Sequence, residues 1–166
     1  DYESINGAVL SRNPDSWVDQ IVVDKGSQNG IELDMSVMSG NGLIGRVVEV
    51  NPTSSKVQLV TTLDQNNNRV ASSVNTDDGV VHGIINGYDA ETNRLVMKQI
   101  TTEATLKEGD QVMTSGLGGV TPSALLIGTI DEVKLDSFGL SQEAYIIPAA
   151  DTNDIRYVTF IKRTAE

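Results

Sequence analysis

The stretch VMTSGLGGVTPSALLIGTI, Val112 to Ile130, decides the fold, because a shorter version, VMSGNGLIGRVVEV, runs from Val37 to Val50. Met35-Ser36-Val37-Met38-Ser39-Gly40 aligns with Asp110-Gln111-Val112-Met113-Thr114-Ser115-Gly116, and Leu43-Ile44-Gly45 with Leu126-Ile127-Gly128. Each copy continues as an apolar alternation ending in a valine, Val50 or Val133. The second copy holds extra residues around Gly118, Gly119 and Pro122. A short strand, a glycine-rich turn and a longer strand are thus used twice, which predicts two related β modules in one chain.

Working outward, Asn-Gly or Asp-Gly punctuates the chain at Asn6-Gly7, Asn29-Gly30, Asn41-Gly42, Asp78-Gly79 and Asn86-Gly87, dipeptides that suit tight hairpin turns. Between these signals the sequence predicts strands at 7–12, 17–23, 36–38, 43–50, 56–61 and 69–74. Further strands are expected at 80–85, 94–98, 111–114, 126–135, 143–148 and 155–161. Many short strands separated by turns are the pattern of barrels and sandwiches. Sustained helical periodicity is absent; Thr102 to Lys107 offers one turn at most, with Thr102 as its cap. A parallel βαβ fold, which needs long crossover helices, is excluded.

The expected fold class is all-β, two small β-barrel-like modules in the manner of the trypsin-like proteases but without catalytic residues. Residues 1–6 read as the end of a helix or linker, 7–100 as the first module and 101–166 as the second. The strand 7–12 is a candidate to pair with the second module, because barrel closure requires covered edges.

Composition narrows the function. Of 166 residues, 39% are hydrophobic but only 4% aromatic, so Val, Ile and Leu must build the core, and these favour strands. A net charge of −11 with no Lys/Arg cluster argues against nucleic acid and against direct adhesion to an anionic membrane. With no cysteine there is neither a disulfide framework nor a thiolate metal site.

Trypsin-like barrels raise the question of a serine hydrolase, since His82, Asp89 and Ser115 occur in the protease order. The His-to-Asp separation is too short for residues from different parts of a barrel. Ser115 also lacks the Gly-Asp-Ser-Gly surroundings of that class, so a strand histidine and a turn serine are the better reading. One His and no Cys leave zinc to carboxylates alone. Asp64 to Asn68 and Asp151 to Asp154 lack calcium-loop spacing, and Glu103 with Glu108 is not a convincing acid/base pair. No catalytic residue, metal site or cofactor site is therefore assigned. Gly116-Leu117-Gly118-Gly119 precedes neither Lys-Ser/Thr nor a helix, so it reads as a tight turn rather than a phosphate cradle. Gly42, Gly45, Gly116, Gly118, Gly119, Pro122 and Gly128 are read as structural turn and strand positions, with Leu117 and Val120 displayed for a partner. Trp17, the sole tryptophan, is expected to cover a barrel end. A glycan-binding module is the third alternative, weakened by having only seven aromatic side chains to stack on sugars.

Taken together, GLIGRVVEV, then TSGLGG-x-x-P-x-x-L-x-IG-x-I, then Ile147-Pro148-Ala149-Ala150-Asp151 resemble the extracytoplasmic portion of the MreC family of rod-shape-determining proteins. The resemblance starts near Ala8-Val9-Leu10 with Arg12, passes Trp17, Asp24-Lys25-Gly26 and Gly30-Ile31, and ends around Tyr157 to Ile161. One departure is Ala124, where a glycine is expected before Leu-x-Ile-Gly; another is the polar run Asp64 to Asn68. The resemblance implies a non-catalytic scaffold that organises peptidoglycan elongation and maintains rod shape. It also implies a single-pass membrane anchor with this region outside the cytoplasm, and an upstream coiled coil that favours dimers. Self-association, MreD, the actin-like MreB and penicillin-binding transpeptidases are the implied partners. Without that coiled coil, these residues are expected to be monomeric or to self-associate only weakly.

Overall fold

The structure, a computed structural model, describes residues 2–13, 16–63, 69–100, 105–117, 122–135 and 141–163. Among them are twelve strands: β1 (Tyr2–Arg12), β2 (Gln20–Val23), β3 (Ser36–Ser39), β4 (Gly42–Val50), β5 (Ser55–Leu59) and β6 (Val70–Thr76). The chain continues with β7 (Gly79–Asp89), β8 (Arg94–Lys98), β9 (Gln111–Thr114), β10 (Leu126–Leu135), β11 (Gln142–Pro148) and β12 (Tyr157–Arg163). Every segment expected to be a strand contains one, with shifted ends: the expected 17–23 is a strand only over Gln20–Val23, 56–61 ends at Leu59, and 155–161 begins at Tyr157. They close two six-stranded antiparallel barrels, in the orders β1-β12-β3-β4-β5-β2 and β10-β11-β8-β7-β6-β9.

The duplication is present at the level of individual residue pairs. Val37 lies opposite Gly45 and Met38 opposite Leu43, just as Val112 lies opposite Gly128 and Met113 opposite Leu126. On the other edge Arg46 faces Gln58 and Val47 faces Val57, matching Thr129 with Ile147 and Ile130 with Ile146. The same irregularity then follows in both copies, between Val47 and Glu49 and between Ile130 and Glu132. The preceding turns also agree. Asp34 N–H donates to Val47 O and Gly109 N–H to Ile130 O, with residues 34 and 109 at φ 69° and 93°.

This shared geometry explains the glycine inside each apolar strand. A Cβ on Gly45 would overlap the Gln58 carbonyl oxygen, and a Cβ on Gly128 would overlap that of Ile147. Gln58 and Ile147 are equivalent positions in the two barrels, so both strands cross a neighbouring backbone too closely for a side chain. Gly42 has a different reason: there a Cβ would meet Ala149 and Ala150, in the segment that joins β11 to β12.

Two expectations about organisation are corrected. Residues 2–6 are not the end of a helix; they extend β1 and pair with β12, Ser4 opposite Ile161 and Ile5 opposite Phe160. The chain also does not divide near residue 100. Strands β6 to β8 join β9 to β11 in the second barrel, and β12 returns to close the first beside β1. The reason is closure. The second barrel is built from six consecutive strands, whereas the first has five from the chain's beginning and needs a sixth to leave no open edge. That strand comes from the C-terminal end and places Val158 and Phe160 in the core at 2% and 0% exposure.

Two of the Asn-Gly turn signals are also corrected. Asn6-Gly7 lies within β1, where a Cβ on residue 7 would crowd Val23 and Phe160. Asn86-Gly87 marks an irregularity inside β7, between Ile85 and Tyr88, so that strand runs on to Asp89.

Each barrel has its own apolar core. Ile21, Val23, Val37, Ile44, Val47, Val57, Leu59 and Phe160 fill the first; Val74, Leu95, Met97, Val112, Ile127, Ile130 and Ile146 fill the second. Leu43, Val60 and Ile161 of the first barrel pack with the second barrel's cluster and seal the junction between the two.

Candidate interaction surface

The turn after β9 displays the apolar side chain of Leu117 from a well-tied base. Thr114, 1% exposed, exchanges backbone bonds with its surroundings: its N–H donates to Leu125 O, and its carbonyl accepts from Ala124 N–H. Its hydroxyl donates to Pro122 O at 2.7 Å and accepts from Leu125 N–H at 2.9 Å. Ser115 N–H donates to Ala71 O, which ties the turn to β6. Gly116 adopts φ 78°, a conformation natural to glycine, and beyond it Leu117 is 60% exposed. Pro122 is buried at the base. The other residues singled out in this turn, Gly118, Gly119 and Val120, lie outside the described residues, as do Asp64 to Asn68, Thr102 and Glu103.

The structure does not bring together the residues of a hydrolase. Asp89 lies seven positions along β7 from His82, roughly 23 Å at strand spacing. His82 is paired across the sheet with Ser73. The Ser115 hydroxyl accepts from Leu117 N–H at 3.2 Å and so serves the turn. Among the described residues, no group of three or more His, Cys, Asp or Glu side chains converges as a metal-binding set would.

Among the exposed apolar side chains of the first barrel that escaped the sequence reading, two lie on neighbouring strands. Tyr157 on β12 is 73% exposed and faces Ala8, with Leu10 two residues further along β1 at 63%. Only Tyr157 carries part of a local signal, since buried Val158 follows it, whereas Leu10 is followed by exposed Ser11 and Arg12. Around Tyr157 an open groove of about 330 Å³ is lined by Asn6, Asp24, Lys25 and Thr159 among others. Trp17 does not start a strand. It sits in the short 3-10 turn Ser16–Val18 with 58% of its surface exposed.

Charge on these surfaces is ordered by local bonds. Asp24 accepts the Ala8 N–H at 2.9 Å, and that bond, aided by Lys25, holds its carboxyl below the usual carboxylate range. Arg94 pairs with Glu132 at 2.9 Å and Asp131 at 3.0 Å, and its guanidinium lies 4.6 Å from the centre of the Tyr145 ring. The bond to Arg94 lowers the Glu132 pKa, and the same bond raises that of Arg94.

Comparisons with known proteins agree with this architecture. The family model described as rod shape-determining protein MreC, barrel core, matches residues 9–162. The cell shape-determining protein MreC of Listeria monocytogenes is 46% identical over 166 residues, all of this chain and 56% of that protein, so the chain spans little more than half of its relative. A solved structure of MreC from the same organism superposes with a TM-score of 0.93 at 46% identity, covering 100% of this chain and 78% of that one. The major periplasmic domain of the cell shape-determining filament MreC superposes at 0.88 with 26% identity, covering 98% and 97%. MreC from a complex with penicillin-binding protein PBP2 of Helicobacter pylori, 18% identical, shares the fold with a TM-score of 0.65, covering 97% and 100%. With nearly its whole length matched by that family model and a close relative covering all of it, the chain belongs to the rod shape-determining MreC family.

Proposed function

We propose that these paired barrels are the docking core of a non-catalytic extracytoplasmic scaffold that organises peptidoglycan elongation and so maintains rod shape. Family membership over residues 9–162 is the observation that carries this reading. The geometry is compatible with it, since the exposed apolar side chains lie on tied turns and strand faces rather than around a reactive centre. Leu117 is the partner contact best supported by position, with Val120 beside it in sequence.

A penicillin-binding transpeptidase is the leading partner, in line with the PBP2 complex of the distant Helicobacter relative. Self-association is supported by the relative described as a filament, and an upstream coiled coil would assist it. MreD and MreB enter by family resemblance alone. Among the described residues no helix is long and apolar enough to cross a membrane; the single-pass anchor belongs to the intact protein by the same resemblance.

The test is cross-linking and co-purification of the intact membrane protein with a tagged transpeptidase. Co-elution that is lost on Leu117→Asp supports the proposal. Failure of the parent protein to co-elute from cells that are actively elongating overturns it.

A further inference from the structure

The junction between the barrels has two chemically different parts. Leu43, Val60 and Ile161 form an apolar seam against the second barrel, at 2%, 4% and 5% exposure. Immediately after Val60 the character changes, because Thr61 and Thr62 bind Asp19. The Thr61 hydroxyl donates to the Asp19 carboxylate, and Asp19 N–H donates to the Thr62 hydroxyl at 3.0 Å. That buried carboxylate grips Arg12 in a two-pronged pair, Nε to Oδ1 at 3.0 Å and Nη2 to Oδ2 at 2.8 Å.

Held in this way, Arg12 has one terminal nitrogen left to bond a group other than Asp19. Nη1 donates to Thr152 O at 2.7 Å, in the segment that carries the chain from β11 of the second barrel to β12 of the first. Thr152 is 2% exposed, and its hydroxyl lies 3.5 Å from Asn93 Oδ1, in the turn between β7 and β8 of the second barrel. Asn93 Oδ1 also accepts from the Tyr88 hydroxyl at 2.6 Å. Burial raises the pKa of that tyrosine, and the charge of Asp19 adds to the rise while that of Arg12 opposes it.

We propose that this cluster is a latch that fixes the angle between the barrels, and that releasing it lets them swing relative to each other about the apolar seam. Arg12 is the bolt, Thr152 and Asn93 are the catch, and Asp19 is a positioning residue that aims the bolt. The two parts of the junction differ in what opening costs. Polar groups drawn apart exchange their mutual hydrogen bonds for bonds to water, with a small net loss. Apolar surface drawn apart has no such replacement, so the seam stays closed and acts as the axis. A device of this kind sets how surfaces on the two barrels, such as Leu117 on one and Tyr157 on the other, are presented together.

The chain has no cysteine, which makes site-specific labelling straightforward. Thr53→Cys in the β4–β5 turn and Asp78→Cys in the β6–β7 turn place one spin label on each barrel for double electron–electron resonance. The parent should give a single narrow distance distribution. Arg12→Ala should add a longer-distance population, enriched at least about tenfold over the parent, the change expected from losing one charged hydrogen bond. Amide exchange at Ile21, Val47, Leu95 and Ile146 should stay as slow as in the parent, which separates swinging from unfolding.

If Arg12→Ala unfolds the first barrel, Asn93→Gly decides instead. Glycine accepts the φ of 54° at that position and removes the carboxamide that faces Thr152 and Tyr88. A new long-distance population in the deciding variant supports the latch; an unchanged distribution in that folded variant overturns it.

Discussion

Replacing Gly45 or Gly128 by alanine tests the duplicated architecture at its tightest point. In each case the added methyl would fall on the carbonyl oxygen of the neighbouring strand, that of Gln58 or Ile147. No rotamer relieves the clash, because the obstructing atom is backbone. The strands must separate locally, and overpacking of this kind costs about 1–3 kcal/mol. A weakened ladder bond adds roughly 0.5–1.5 kcal/mol. Alanine recovers about 0.4–1 kcal/mol by restricting the unfolded chain. The expected net loss is about 0.5–4 kcal/mol for either variant, centred near 2, which corresponds to a drop in Tm of about 4–8 °C for a chain of this size. Urea unfolding followed by circular dichroism measures it, with an unchanged m-value showing that stability alone has altered. Because equivalent atoms obstruct both positions, the two losses should agree within about 1 kcal/mol, and valine should be no milder than alanine. Either alanine variant within about 0.5 kcal/mol of the parent would refute the close-approach argument.

Three smaller predictions follow from the same geometry. Ala124 sits at φ 66°, where a Cβ is strained, so Ala124→Gly should stabilise by about 0.5–1 kcal/mol in the same urea assay; a loss of stability would contradict this. The buried Ser55 hydroxyl has no hydrogen-bond partner among the described residues, and Ala144 occupies the equivalent position of the second barrel. Ser55→Ala should therefore raise stability by about 1 kcal/mol, read as a higher melting temperature, whereas a marked fall would reveal a hidden role for the hydroxyl. Asp24 and Glu132 are both held below the usual carboxylate pKa, so each adds stability that is present above about pH 4 and lost as the pH falls through its lowered value. Asp24→Asn should flatten the decline of the urea midpoint between about pH 5 and pH 2.5, and an identical slope would exclude that assignment.

The sequence made the strands legible because alternation and turn residues are local signals. It also exposed the duplication, since Leu-Ile-Gly recurs where two backbones approach equally closely. The destination of β12 was not legible. Its residues mark a strand, but nothing in them says that Phe160 belongs with Ile21 and Val37 rather than with Leu95 and Ile146. That choice is made by which barrel lacks a strand, a property of the whole topology. Asn6-Gly7 misled for a related reason: the glycine answers to the crowding of Val23 and Phe160, not to a turn. At the candidate surface, Leu117 was legible because a glycine-rich turn has few ways to hide a leucine. The latch was not, since Arg12 and Thr152 are 140 positions apart and no local pattern links the two.

The scaffold reading is tested most directly by calorimetric titration of this chain with the purified extracytoplasmic region of a penicillin-binding transpeptidase from the same bacterium. The account predicts saturable binding without turnover, weakened at least about tenfold by Leu117→Asp, as expected when a charge replaces an apolar contact in an interface. Two folded, pure proteins that show no saturable binding would contradict it.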